Sequence, residues 1–260
     1  MTDASLPAGR FTPGDFRVGH VFSQAWKVFS RNFFTFIIVT AIASLPPILA
    51  QPPLSTDPAA VDPFQNLGRS LLVLFLGAVC NALATGTLIY GAFEIMRGRP
   101  MNLAESARVG LRRFFPMVGL AIVVFVLVEL GLILFIFPGA MLYTMWFVAT
   151  PVCVVERAGV FRSMGRSRAL TKGHRWKIFG LFLVVFIPGL IVGGAVISAL
   201  FSGNIATVNS IFSSTLGKIV SLIWSAIYTA FLAALVVVTY HDLRVAKEGV
   251  DTDQIASVFD

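Results

Sequence analysis

The chain has 260 residues, of which 57% are hydrophobic and only 13% are charged. Because soluble domains carry about 25% charged residues, this composition excludes an ordinary water-soluble fold and predicts a protein of the lipid bilayer. The formal net charge of +7 does not indicate nucleic-acid binding, since the basic residues stand beside apolar runs, where they orient membrane helices.

Six apolar runs predict an all-α, polytopic membrane protein. The predicted transmembrane helices are Phe33–Ala50, Leu71–Ile95, Met117–Ile136, Ala140–Val155, Ile178–Phe201 and about Ile219 to Tyr240. Pro46-Pro47 is expected to end the first span, and Pro138-Gly139 is expected to form the turn after the third. The prediction divides the chain into an N-terminal segment with an amphipathic helix (1–32), a six-span membrane domain (33–240) and a C-terminal tail (241–260).

The distribution of Lys and Arg predicts the orientation of these spans. Of the 20 basic residues, all but Arg69 and Lys218 lie in residues 1–32, 96–116 and 156–177 or in the C-terminal tail. Loops on the two sides of a membrane alternate along the chain, and these basic segments all fall on the same side. Since Lys and Arg are enriched in cytoplasmic loops, both termini are expected in the cytoplasm of a bacterial cell, and the spans are expected in its cytoplasmic membrane.

Each of the three basic segments is predicted to form a helix at the membrane surface. The first has apolar residues at the i, i+3, i+4 and i+7 spacing of an amphipathic helix. These residues are Val18, Val21, Phe22, Ala25, Trp26 and Phe29. In the second segment, Asn102 and Glu105 fit an N-cap pair. The apolar side of that segment comprises Leu103, Ala104, Ala107 and Leu111.

The same order, an interfacial helix followed by two spans, suggests three repeats of one unit. In the third segment, Arg162 and Arg166 are one helical turn apart, as are Arg168 and Lys172. Internal repeats recur in membrane proteins. Convergence on the shared order of basic residues, aromatic residues and span would produce the same pattern, so both explanations stay open.

No pattern in the sequence predicts catalysis, a metal or a cofactor. Cys80 and Cys153 lie in apolar runs without metal-site spacing, and a disulfide between them is not expected. His20, His174 and His241 lie in three different segments. The glycine, serine and histidine motifs of nucleotide-binding proteins, serine hydrolases and zinc proteases are missing. We therefore predict a protein that is not an enzyme.

Glu129 and Lys218 are the polar candidates inside the membrane. Glu129 is the acidic residue deep within a span, and such residues are functional candidates by default. Lys218 opens the sixth span from the same side, so an ion pair between the two is geometrically possible. One interpretation is an ion, proton or ligand step at Glu129; the other is a protonated or paired carboxyl that fixes helix packing.

A cluster of basic residues follows the fourth span. Its members are Arg157, Arg162, Arg166, Arg168, Lys172, Arg175 and Lys177. Such clusters attract anionic lipids at about 1 kcal/mol per basic residue. They also set topology, and both roles are expected here.

Four stretches carry a resemblance to a known family. They are Arg17–Phe33, Thr150–Val160, Ser167–Gly173 and Tyr240–Asp251. Together they resemble the bacterial membrane-domain family named for the membrane anchor of certain glycerophosphoryl diester phosphodiesterases. The most specific part is a closing motif after the last span, formed by Tyr240, Asp242, Leu243, Arg244, Lys247, Glu248 and Gly249. The family would have an aromatic residue at position 241, where this chain has His241.

The resemblance implies a six-span architecture without catalysis. In the bifunctional members a separate barrel carries the phosphodiesterase site, and that barrel does not occur in this sequence. The closing motif is expected to continue the last span as a helix, with the charges of Arg244, Lys247 and Glu248 facing water.

These observations leave three hypotheses of function. The first is a non-enzymatic scaffold, assembly or envelope-homeostasis component of the membrane. The second is a small transporter or lipid-handling protein that uses Glu129, and the third is an enzyme on lipid substrates, for which the sequence offers no nucleophile, metal site or carboxylate pair. The expected partners are the bilayer, anionic lipids, and another membrane protein or a second copy of the chain, with no nucleic acid.

Overall fold

The computed structural model describes residues 16–50, 63–187 and 214–249. Within these ranges every regular element is a helix. The helices are α1 (Val18–Arg31), α2 (Phe33–Ala50), α3 (Pro63–Met96), α4 (Leu103–Arg112), α5 (Phe114–Leu134), α6 (Ile136–Trp146), α7 (Ala149–Val155), α8 (Val160–Thr171), α9 (described over 175–187) and α10 (Thr215–Glu248). The prediction of an all-α protein is confirmed.

Five stretches in the described ranges are long and apolar enough to cross a membrane. They are Phe33–Ala50, Leu67–Met96, Phe114–Leu134, Phe137–Val155 and Thr215–Glu248. By length and composition the chain is therefore a multi-pass membrane protein. The predicted fifth span, Ile178–Phe201, is helical over residues 178–187. Its remainder, with Pro188-Gly189, lies outside the described residues.

The loop between α2 and α3 is shorter than predicted, because α3 begins at Pro63 rather than at Leu71, and Pro46-Pro47 does not end α2. Helix α2 runs through Pro46 and Pro47 to Ala50. Helix α3 begins at Pro63, where proline is favoured because the first helical N–H needs no partner inside the helix. Hydropathy predicts the apolar part of a helix, but the backbone hydrogen bonding of the helix can extend beyond that part.

The turn between α5 and α6 also differs from the prediction. It is formed by Phe135, whose backbone is extended, and Pro138-Gly139 lies in the first turn of α6. Proline is tolerated there because that N–H would have no partner within the helix. Gly139 permits the tight approach of the two helices, since a Cβ at that position would lie 2.6 Å from the backbone nitrogen of Leu132.

The predicted fourth span is a broken helix. Helix α6 ends at Trp146, and α7 begins at Ala149. Pro151 explains the position of the break, because a proline ring clashes with the carbonyl four residues earlier, which is that of Phe147. Near the break, the backbone carbonyl of Met145 accepts hydrogen bonds from Ser167 Oγ at 2.9 Å and Thr171 Oγ1 at 3.2 Å. Both hydroxyls come from α8, which therefore braces the broken span.

The predicted amphipathic helix α1 is confirmed and packs on α10. Val21, Ala25 and Phe29 are buried. The rings of Phe22, Trp26 and Phe29 surround Phe231 of α10, with centroid distances of 5.5, 6.2 and 5.8 Å. Apolar and aromatic contacts thus attach the first helix to the last one.

Helix α4 has the predicted N-cap but turns an unexpected side to the protein. The side chain of Asn102 accepts hydrogen bonds from the backbone N–H groups of Ala104 and Glu105. The buried residues of α4 are Ser106 and Gly110, whereas its predicted apolar side, with Leu103 and Leu111, is exposed. Small residues allow α4 to approach α3 closely, and the apolar side is left for lipid.

We expect removal of the two α8 hydroxyls to destabilise the broken span. The double variant Ser167→Ala with Thr171→Val should lower the free energy of unfolding by about 1–3 kcal/mol, because the Met145 carbonyl loses two buried donors. Thermal or denaturant unfolding in detergent measures the change. Ser30→Ala is the matched control, since that exposed hydroxyl bonds only within its own helix; equal effects of the two variants would contradict the bracing role.

Candidate functional site: a membrane cavity and the basic end of the bundle

An apolar cavity of about 690 Å³ lies among α5, α6, α7, α9 and α10. On α5 its lining extends from Leu120 to Leu132, about 18 Å at 1.5 Å per residue. Aromatic rings form much of the wall. Phe182 of α9 stacks on Phe186 with a centroid distance of 4.8 Å and lies 4.5 Å from the ring of Tyr143. The length of the cavity and its apolar lining suit a long apolar ligand.

Glu129 lies in the wall of this cavity. The carboxyl is exposed at the surface of α5. No ion pair joins it to Lys218 in the described part of the chain, and Lys218 is itself exposed at the start of α10. The structure therefore places Glu129 beside a space that can hold a ligand and leaves Lys218 apart from it.

Two smaller cavities continue this space into a polar interior. One of about 270 Å³ shares Tyr143 and Tyr228 with the apolar cavity and adds Asn81. The next, of about 310 Å³, shares Asn81 and Thr229 with it. The last cavity is lined by hydroxyls from two helices, those of Thr40 and Ser44 on α2 and of Ser221, Ser225 and Thr229 on α10. This polar interior could hardly be predicted from the sequence, because each span contributes only a few separate polar residues.

A second feature is a polar network at the end of the bundle where α3, α7 and α10 finish; we call this the basic end, after its arginines. Tyr240 is buried, and its hydroxyl donates to Glu156 Oε1 at 2.9 Å. Arg166 Nε donates to both oxygens of Glu156 at 3.2 Å, and its Nη2 pairs with Glu248. Arg244 Nε donates to Glu248 at 2.9 Å, and Arg244 Nη1 donates to the Tyr240 hydroxyl at 3.2 Å.

The network stabilises the positive charge of Arg166, which is partly buried. Burial by itself lowers the pKa of the Arg166 guanidinium, but hydrogen bonds and charge from Glu248 and Glu156 outweigh it, so the pKa is raised above its ordinary value. The network thereby fastens α8 and the end of α7 to α10. Arg244 and Glu248 were expected to face water. Glu248 is exposed as expected but pairs with Arg244 and with Arg166 of α8, whereas Arg244 is half-buried and also bonds to Tyr240.

The rest of the closing motif completes the same junction. Leu243 is fully buried, and Lys247 Nζ donates to the carbonyl of Ala169 in α8 at 3.1 Å. Gly249 ends α10 with φ of 62°, a left-handed conformation that favours glycine. The motif therefore holds the fold together at this end.

Asp242 joins two histidines that are far apart in sequence. His20 Nδ1 of α1 lies 3.2 Å from Asp242 Oδ2, and His241 Nδ1 lies 3.4 Å from Oδ1. Gln24 reaches the other ring nitrogen of His20 at 3.4 Å. His174 lies elsewhere, against the ring of Phe16. Within the described ranges no group of three or more His, Cys, Asp or Glu residues could hold a metal ion.

The basic cluster after the fourth span divides into two kinds of residue. Arg166 is held by carboxylates, and Lys177 Nζ donates to the carbonyl of Phe16 at 2.8 Å. Arg175 is half-buried. Lys177 is exposed although it is bonded, and the exposed members whose side chains make no bond among the described residues are Arg157, Arg162, Arg168 and Lys172. The exposed charges that are not bonded within the protein are the ones that can meet anionic lipid.

We expect Glu156 and Tyr240 to act as one unit in stability. Tyr240→Phe should cost about 1 kcal/mol and Glu156→Ala about 2–3 kcal/mol, because the second change also leaves Arg166 without one partner. The double variant should cost less than the sum of the two. Unfolding in detergent measures the three values, with exposed Arg162→Gln as the control; strict additivity would show that the two side chains do not cooperate.

The contact at Asp242 should restrain α1. Asp242→Ala removes the acceptor of His20, so amide hydrogen exchange in α1 should accelerate by about fivefold, the factor for one lost hydrogen bond of about 1 kcal/mol. Exchange in α4, which has no contact with Asp242, serves as the internal reference. If exchange in α1 is unchanged, the aromatic contacts alone hold α1 against α10.

Comparison with known proteins gives one family. A family model described as "Domain of unknown function (DUF7847)" matches residues 102–243, from the N-cap of α4 to within the closing motif on α10. No curated protein matches the chain, and no solved structure does. The matched range covers more than half of the chain and contains most of the cavity lining, Glu156, Arg166 and Tyr240. The chain belongs to the DUF7847 family.

Proposed function

We propose that this chain is a non-enzymatic membrane protein that binds a lipid, with the apolar chain of that lipid in the 690 Å³ cavity. The cavity itself is the observation that carries the proposal. Ligand pockets are about 300–1,000 Å³, mostly apolar, with a few polar groups that fix orientation. This cavity has that volume, aromatic walls and a polar inner end.

The position of the cavity favours a ligand that arrives from the bilayer. Lining residues such as Phe125 and Phe186 are also exposed on the surface of membrane-spanning or apolar helices, at 64% and 40%. An acyl chain can therefore enter sideways from the lipid phase. A soluble ligand would have to cross polar head groups and then leave water, which is unfavourable for any group that the walls cannot hydrogen-bond.

Glu129 and the inner polar cavities suit the polar part of such a ligand. A lipid has both an apolar chain and a head group or ester, and hydrogen-bonding groups inside the membrane must be paired. Asn81, Tyr143 and Tyr228 offer such partners at the inner end, and Glu129 offers one in the wall. This makes lipid handling, the second hypothesis from the sequence, the preferred one.

We further propose the complete architecture predicted from the sequence. It has six spans in three units of an interfacial helix and a hairpin, with both termini in the cytoplasm and the spans in a bacterial cytoplasmic membrane. The order α1–α2–α3, α4–α5–α6/α7, α8–α9–α10 supports the three units, and the segregation of Lys and Arg supports the orientation. Kinship with the phosphodiesterase-anchor family remains a proposal based on the closing motif.

A lipid-retention experiment tests the proposed cavity. Ala140→Phe places a ring in the cavity and should reduce the lipid that co-purifies in gentle detergent, measured by mass spectrometry per mole of protein. Ala78→Phe is the matched control, because Ala78 is exposed on α3 and lines none of the cavities above. Equal lipid content in the two variants, with both folded, would contradict the proposal. A stoichiometric protein partner in the same purification would favour the scaffold or assembly role instead.

Glu129→Gln separates a ligand contact from a packing role. The described structure gives Glu129 no partner to lose, so the melting temperature should not change by more than a few degrees, whereas lipid retention should fall several-fold. The measurements are thermal unfolding and the same mass spectrometry. A large fall in melting temperature, with unchanged lipid retention in the protein that is still folded, would assign Glu129 to helix packing.

A further inference from the structure

A separate cavity of about 190 Å³ lies at the basic end, between the end of α3, the first turn of α4 and the end of α7. Its charged lining residues are Glu94, Arg97, Arg99, Glu105 and Arg157. It shares no lining residue with the apolar cavity. It is small enough for a head group or a phosphate ester, and too small for a complete lipid.

The end of α3 is shaped to place two arginines at this cavity. Gly98 has φ of 74°. Its N–H donates to the carbonyl of Ile95 at 3.0 Å, and the N–H of Arg99 donates to that of Glu94 at 3.1 Å. This pair of bonds is the Schellman motif, which ends a helix with a left-handed glycine. The chain consequently folds back so that Arg97 and Arg99 line the same space.

Positive charge exceeds negative charge in the cavity. Glu94 pairs with Arg97 Nη1 at 3.2 Å, and Glu105 accepts the hydroxyl hydrogen bond of Tyr90 at 3.2 Å. The three arginines outnumber the two glutamates by one. Within the described ranges no ion pair involves the side chain of Arg99 or Arg157. An anion therefore has two guanidinium groups available to it.

Arg97 supplies a second, independent observation. Its side chain is only 9% exposed. Nη2 is buried without a hydrogen-bond partner among the described residues. A guanidinium has five N–H donors, and buried donors are normally satisfied. Arg97, which lines this cavity, therefore has a buried donor that no described residue satisfies.

Arg157 reaches the cavity from a strained backbone. Its φ is 52°, the one positive value for a non-glycine residue in the described ranges. The residue follows Glu156, the C-cap of α7, at the position that usually takes glycine or asparagine. Its carbonyl accepts from Arg113 Nη1 at 3.4 Å. Strain of this kind concentrates at functional sites, and here it holds an arginine at the cavity mouth.

We propose that this cavity binds a phosphate group, held by the guanidinium groups of Arg97, Arg99 and Arg157. Arginine presents paired donors that match the oxygens of phosphate, and such charge-assisted bonds are the strong ones. The phosphate belongs either to a phospholipid head group or to a soluble phosphate ester. The site is independent of the lipid-chain cavity proposed above.

Two substitutions test the site without disturbing the buried pair at Arg97. Arg157→Gly removes a guanidinium and suits φ of 52°, so the fold should be kept or slightly stabilised. Arg99→Gln removes a second charge from an exposed position. Arg108→Gln, exposed on α4 and not lining the cavity, matches the change in net charge of each single substitution. Thermal unfolding of each variant verifies folding before binding is measured.

Binding is measured in detergent with inorganic phosphate and sn-glycerol 3-phosphate, against chloride at equal ionic strength, and by native mass spectrometry with phosphatidylglycerol and diacylglycerol. We expect the Arg99→Gln, Arg157→Gly double variant to lose about tenfold or more in affinity for the phosphate-bearing probes and Arg108→Gln less than about twofold. Binding of the soluble probes identifies a phosphate-ester site. Preference for phosphatidylglycerol over diacylglycerol, without binding of the soluble probes, identifies a head-group site.

The proposal is overturned if the wild type binds no phosphate-bearing probe, or if the double variant and Arg108→Gln behave alike. Ala140→Phe distinguishes this result from the cavity test, because filling the apolar cavity should leave the binding of soluble phosphate unchanged. Loss of diacylglycerol binding in Ala140→Phe with phosphate binding retained separates the two sites.

Discussion

Hydrocarbon offers no hydrogen-bond partners, so a backbone carbonyl freed within a membrane span must be satisfied by the protein. The break between α6 and α7, which Pro151 explains, creates this requirement within the apolar stretch Phe137–Val155. Helix α8 meets it with the hydroxyls of Ser167 and Thr171. Once α8 lies against the broken span, Arg166 is in reach of Glu156 and of α10, so the position of α8 determines the polar network as well.

Helix α10 connects the two halves of the protein. Its aromatic residue Phe231 receives the rings of α1, and Thr40 of α2 donates to the carbonyl of Ala226 at 3.4 Å. Its last turns carry Tyr240, Arg244 and Glu248 into the network with α7 and α8. A single long helix therefore makes apolar contacts along its apolar part and charged contacts in its last turns. The two kinds of contact match the change from lipid to water along the helix axis.

Close packing and open space are distributed unequally in the bundle. At the crossing of α3 and α4, a Cβ on Gly86 would lie only 3.1 Å from the Cα of Gly110, because small residues allow helix backbones to approach in membranes. Around the large cavity, by contrast, rings such as Tyr143 and Phe182 separate α6, α9 and α10. The large cavity thus lies where bulky side chains, rather than small ones, separate the helices.

The sequence alone determined that the chain belongs in a bilayer, where α1 lies and that Asn102 caps α4, because composition, apolar spacing and capping are properties of neighbouring residues. It did not predict that α6 ends at Trp146 within the fourth span, and it predicted the wrong buried side of α4. Only the tertiary structure decided that Glu156 meets Tyr240, 84 residues away, and that His20 meets Asp242, 222 residues away. Hydropathy and periodicity add up local preferences, whereas cavities and polar networks depend on which helix faces meet.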